Sequence, residues 1–112
     1  MGPSDLEGRP RMVLFRDNLG NVLRAERIRQ GMTLRELSAD ARVSLGYISE
    51  IERGHKEASS ELLAALCAAL DLRLSEVLRE VSASVAVEEQ RLAEEISSIA
   101  PVPAGDVVAS AA

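Results

Sequence analysis

One short stretch of this 112-residue sequence gathers most of the side chains able to do chemistry. In Ser44-Leu45-Gly46-Tyr47-Ile48-Ser49-Glu50-Ile51-Glu52-Arg53, Ile48 and Ile51 share one face of a helix, which turns Leu45, Gly46, Ser49 and Glu50 to the opposite side. A serine hydroxyl exchanges hydrogen bonds, a glutamate carboxylate accepts from an amino group such as that of cytosine, and a leucine offers contact to a thymine methyl. Together they form the kind of surface that meets base edges in a groove of nucleic acid. Tyr47, which with Phe15 makes up the aromatic complement, can pack at the edge of a core or send its hydroxyl to a phosphate. Arg53, His55 and Lys56 follow at once, where cations can neutralise phosphates and fix register. Arg35 and Arg42, a little upstream, are further phosphate candidates.

Other chemistry is poorly provided for. One cysteine, Cys67, and one histidine, His55, make neither a disulfide framework nor a zinc set. Cys67 sits among alanines and Leu66, so it reads as a packing residue and not as a redox sensor. No Ser/His/Asp, Cys/His or paired-carboxylate arrangement stands out, and glycine-rich phosphate loops are missing; neither catalysis, cofactor nor metal is expected. An aromatic fraction of 2% disfavours a β-sandwich and a base-stacking platform. No apolar run approaches the roughly 18 residues of a membrane span, so a cytoplasmic location is expected.

The net charge of −5 conceals an asymmetry. Residues 9 to 56 hold ten Lys/Arg against six Asp/Glu, whereas residues 57 to 112 hold three against ten. A basic half suits a polyanion, and an acidic half avoids one.

The elements that must position these residues read as helices throughout. A first helix is expected from about Asn18, with Leu19, Val22 and Leu23 on one side and Gly31 as its stop. Thr33-Leu34-Arg35-Glu36 is a capping box that starts a second helix carrying Leu34, Leu37 and Ala41. Ser44 caps the third, and Gly54 ends it; two short helices around a tight turn make a helix-turn-helix unit. A fourth helix from Ser59 or Ser60 buries Leu62, Leu63, Leu66 and Leu70, and a fifth begins near Leu74 with Val77, Leu78 and Val81. Val81, Val85, Leu92, Ile96 and Ile99 then form an apolar stripe on an acidic C-terminal helix, for which Ser82-Ala83-Ser84 offers a kink or a break. That stripe needs a partner surface, and pairing with a second copy is favoured over folding back, because a lone recognition helix reads few base pairs. Residues 1–15 are expected to be a flexible leader, 16–80 the helix-turn-helix domain, 81–100 the acidic helix and 101–112 a disordered tail.

From Leu19 to Leu78, the segments Thr33-Leu34-Arg35-Glu36-Leu37-Ser38 and Val43 to Gly54, with the leucine-rich fourth helix, resemble the Cro/C1-type, or xenobiotic-response-element-type, helix-turn-helix regulators. The resemblance implies an all-α, five-helix domain, here with an additional C-terminal helix, whose third helix enters the major groove of double-stranded DNA. It also places an Arg–Glu pair at Arg27 and Glu52, joining the first helix to the end of the third. The third helix and the appended acidic helix are similar to the actinobacterial Clp-gene regulator branch. That branch implies activation of protease and stress genes, and a two-fold homodimer formed through the stripe would require an inverted-repeat operator. RNA polymerase would be a partner, with Glu36, Asp40 and Glu50 as weak candidates for contact. So would a Clp-type protease, engaging a terminal Ala111-Ala112 degron. The alternative is a protein-interaction module on the same fold, an antitoxin or adaptor.

Overall fold

The computed structural model describes residues 12–99. Most of the expected leader and all of the expected tail, including Ala111 and Ala112, lie outside the described residues. Five helices follow one another: α1 Phe15–Arg29, α2 Leu34–Ala41, α3 Leu45–Glu52, α4 Ser60–Ala69 and α5 Leu74–Ile99. No strand occurs among the described residues.

Local chemistry accounts for most of the boundaries. Thr33 Oγ1 accepts from the Glu36 amide at 3.0 Å, and Glu36 Oε1 accepts from the Thr33 amide at 2.8 Å, closing the capping box of α2. Ser44 and Ser59 cap α3 and α4 by accepting from the Tyr47 and Leu62 amides, each at 3.1 Å. Gly31 at φ 70° and Gly54 at φ 77° take the left-handed conformation that turns the chain out of α1 and α3. Arg42, at φ 59°, makes the same turn after α2 without a glycine, and there the Val43 amide bonds back to Ser38 O while Val43 O accepts from the Ser38 hydroxyl.

Two expectations are corrected. The first helix begins at Phe15 and not at Asn18, whose side chain donates to Leu14 O at 3.0 Å from inside the first turn and is buried. The expected break at Ser82-Ala83-Ser84 is absent, because Leu74–Ile99 is helical throughout; the appended helix is an extension of the fifth. Alanine and serine carry no steric reason to stop a helix. Ser84 donates its hydroxyl to Asn18 Oδ1.

The Leu14–Val85 segment forms a compact unit. Its core joins Leu19 and Leu23 of α1, Leu37 of α2, Ile48 and Ile51 of α3, Leu66 of α4 and Val77 of α5, with Leu70 just past α4. Leu62 and Leu63 pack at its edge, whereas Leu78 of α5 is exposed. Val81 is 3% exposed in this core and Val85 packs against it, so the stripe expected at a dimer contact is divided. Burial within their own unit removes Val81 and part of Val85 from what the stripe could offer a second copy. Residues 86–99 belong to the other unit and are helical; there Val87 and Ile96 are exposed and Leu92 is half-buried. Among the described residues, no helix is long and apolar enough to cross a membrane.

Candidate nucleic-acid interface

Burial of Ile48 and Ile51 fixes the rotation of α3. Ser44, Leu45, Gly46 and Tyr47 consequently stand exposed at its N-terminal end, with Ser49 and Glu50 half-buried one turn further on. A Cβ at Gly46 would meet nothing within 4 Å, so this end presents an unobstructed backbone to whatever approaches. Arg35 and Arg42 are exposed on α2 and at its C-cap, and Arg53, His55 and Lys56 are exposed after α3. Arg42 just before the Ser44 cap and Arg53, His55 and Lys56 at the exit thus flank one short helix, while Arg35 is exposed on the preceding α2.

Several of these side chains are already engaged within the protein. Tyr47 donates its hydroxyl to Glu57 O at 2.9 Å, a bond that ties α3 to the connector before α4. Glu50 accepts from Arg53 Nη2 at 2.6 Å and lies 3.2 Å from His55 Nδ1. The His55 hydrogen bond and the nearby Arg53 charge hold the Glu50 carboxyl below the usual carboxylate range. Glu50 is therefore a neutralised acid within a cationic turn, and its base-reading capacity is shared with these partners.

Arg27 and Glu52 are paired. Arg27 Nε and Nη2 donate to the two Glu52 carboxylate oxygens at 2.7 and 3.0 Å, and Nη1 donates to Met32 O at 2.8 Å. The bond to Glu52 raises the Arg27 pKa further, and the fork geometry makes the pair specific as well as strong. It clamps the end of α3 to α1.

Four further residues gain their roles from the structure. Arg16 Nε donates to Gly54 O at 2.9 Å and its Nη1 lies 3.4 Å from Glu57, so α1 also holds the connector after α3. Gly20 lets α1 approach α3 closely: a Cβ there would lie 2.3 Å from Ile51 O. A glycine inside the leucine-lined first helix was a legible signal of that approach. Gln30 donates to Leu70 O at 2.7 Å, tying the ends of α1 and α4, and Asn18 is buried. These long-range bonds leave no periodic trace. Cys67 is buried, and burial pushes its thiol pKa up, which disfavours the reactive thiolate. Glu36 is occupied in its capping box, while Asp40 is exposed.

Residues 23–77 match the helix-turn-helix family model. The transcriptional regulator ClgR of Mycobacterium tuberculosis is 58% identical over 78 residues, 70% of this chain and 70% of that protein. The crystal structure of the clp gene regulator ClgR from Corynebacterium glutamicum is 47% identical, with a TM-score of 0.69 over 78% of this chain and 90% of that one. The restriction-modification controller protein C.AhdI from Aeromonas hydrophila is 26% identical, with a TM-score of 0.54 over 55% of this chain and 94% of that one. With an exposed helix presented by a Ser44-capped turn and relatives of this kind on either side of the same fold, the chain belongs to the Cro/C1-type helix-turn-helix family of transcriptional regulators, among those of the ClgR type.

Proposed function

We propose that this chain binds double-stranded DNA in a sequence-specific manner, as a cytoplasmic homodimer on an inverted repeat, and activates genes for Clp-type proteases and related stress functions. The observation that carries the reading is the exposed N-terminal end of α3, fixed by its buried isoleucines and bordered by Arg35, Arg42, Arg53, His55 and Lys56. A major groove about 12 Å wide admits one such helix. Leu45, Gly46 and Ser49 then face base edges, and the basic residues face phosphates. None of them forms the Arg–guanine fork, so DNA shape carries part of the specificity. Two-fold pairing would set two α3 helices about 34 Å apart on one DNA face. The names of the ClgR relatives support the regulon. Activation implies contact with RNA polymerase, for which Asp40 is the freer of the two α2 acids.

The test is selection of genomic fragments by the purified chain, followed by binding to the best fragment across about 50 to 200 mM salt. The expected result is an enriched inverted repeat with a steep salt slope. If nothing is enriched and binding stays weak at low salt, the fold is serving as a protein-interaction module, and a stoichiometric protein partner should co-purify.

A further inference from the structure

The connector between α3 and α4 is held from two sides. Arg16 on α1 donates to Gly54 O at 2.9 Å, and Tyr47 on α3 donates to Glu57 O at 2.9 Å. Glu57 serves both anchors, because its carboxylate also lies 3.4 Å from Arg16 Nη1. Gly54 is itself buried against α1, where a Cβ would lie 3.2 Å from Asp17 Cα. Between the two fixed points lie His55 and Lys56, both exposed. A loop of this length would ordinarily sample many conformations, and each would place the two cations differently. Pinning its ends removes that cost before any ligand arrives.

We infer that Tyr47 and Arg16 are positioning residues, which fix the connector so that Lys56 stands ready at a phosphate backbone. The inference rests on the reading of this turn as a phosphate-contacting element. It assigns Tyr47 a role different from direct contact, because its hydroxyl already has a partner within the protein.

Salt dependence separates the two roles. A lysine that neutralises a phosphate releases counterions and contributes about 0.9 to the slope of log K against log salt, whereas a tyrosine hydroxyl on a phosphate releases none. Binding of the full chain to its selected fragment is measured for Tyr47→Phe, Lys56→Gln and the double variant. Under positioning, Tyr47→Phe lowers affinity by up to about fourfold per bound subunit at 200 mM salt and flattens the slope by up to about 0.9 per subunit, as Lys56→Gln does. The double variant then resembles Lys56→Gln alone, since the two changes remove one interaction. Arg16→Gln in the Lys56→Gln background is a second readout, and there it costs no more than the loss of its own charge. Lower affinity for Tyr47→Phe with the slope intact, additive with Lys56→Gln, makes Tyr47 a direct contact and overturns the inference. An unchanged affinity overturns it too. If Lys56→Gln alone leaves affinity and slope untouched while the wild-type chain still selects its fragment, the phosphate reading of the turn fails, and the positioning role fails with it. Selection of no fragment at all sinks the DNA-binding reading itself.

Discussion

Arg27 makes three hydrogen bonds, and its pair with Glu52 is shielded from solvent, with side-chain exposures of 11% and 4%. Replacing Arg27 by Ala leaves the Glu52 carboxylate buried without its partner, a cost of about 3 to 5 kcal/mol. For a domain of this size, the melting temperature should fall by at least about 10 °C, read by circular dichroism. Arg27→Lys should recover only part of the loss, because an ammonium cannot reproduce the two-pronged contact. A melting curve for Arg27→Ala that overlays wild type would sink the brace. Glu50 differs because it is accessible to solvent. Its carboxyl is held below the ordinary range by His55 first and Arg53 second, so the folded state is favoured above the unfolded pKa and loses that advantage as pH falls through the folded one. Glu50→Gln should therefore melt slightly below wild type at pH 7, with the gap narrowing as pH falls below the ordinary carboxylate range. A gap that does not narrow with falling pH would show that packing, and not charge, holds this residue.

At the scale of elements, two glycines predict opposite responses to one substitution. Gly20→Ala drives a Cβ into Ile51 O at 2.3 Å and Glu52 O at 2.7 Å, both backbone atoms that cannot rotate away. Helices α1 and α3 must then separate, at a cost of about 1 to 3 kcal/mol or more. Gly46→Ala meets open space inside α3, where alanine gains about 1 kcal/mol of helix propensity. It should raise the melting temperature while lowering fragment affinity, since the new methyl stands on the face proposed for the groove. Parallel thermal melts and binding titrations check both signs; destabilisation by Gly46→Ala would mean that α3 is packed where it is drawn open. The contrast also shows what the sequence could reveal. Thr33, Ser44, Ser59, Gly31 and Gly54 act on atoms a few residues away, so the helix boundaries they set were legible from types and spacing alone. Continuity through Ser82-Ala83-Ser84 was not, because nothing local decides between one helix and two and the Ser84 hydroxyl finds its partner on Asn18. Within the candidate site, the residue types were legible and the engagements less so. Glu50 lies three and five residues from Arg53 and His55, close enough for helix geometry to suggest the pairing, whereas Arg16 reaches a connector 38 residues away.

The chain as a whole combines a basic first half with a last helix segment that is both acidic and apolar. Among residues 86–99, Val87 and Ile96 are 57% and 54% exposed, on a helix that also carries Glu88, Glu89, Glu94 and Glu95. Four carboxylates repel a phosphate backbone, so this segment is a poor DNA ligand and a better protein ligand. An amphipathic helix gains stability when its apolar side chains are covered. Under the proposed dimer, self-association would meet that need and, with Val81 buried and Val85 half-buried in the Leu14–Val85 unit, would rest on Leu92, Ile96 and their neighbours. Sedimentation equilibrium at micromolar concentration should therefore return twice the 12.0 kDa chain mass. Replacing Leu92 and Ile96 by Asp should return the single-chain mass, because each carboxylate would have to be desolvated at the contact. The thermal transition of the Leu14–Val85 unit should survive, since neither residue belongs to its core. Affinity for an inverted repeat should fall by about 100-fold or more, as two half-sites must then be filled independently. A wild-type mass that stays at one chain across that concentration range rules out the dimer and leaves the exposed Val87 and Ile96 to a different protein.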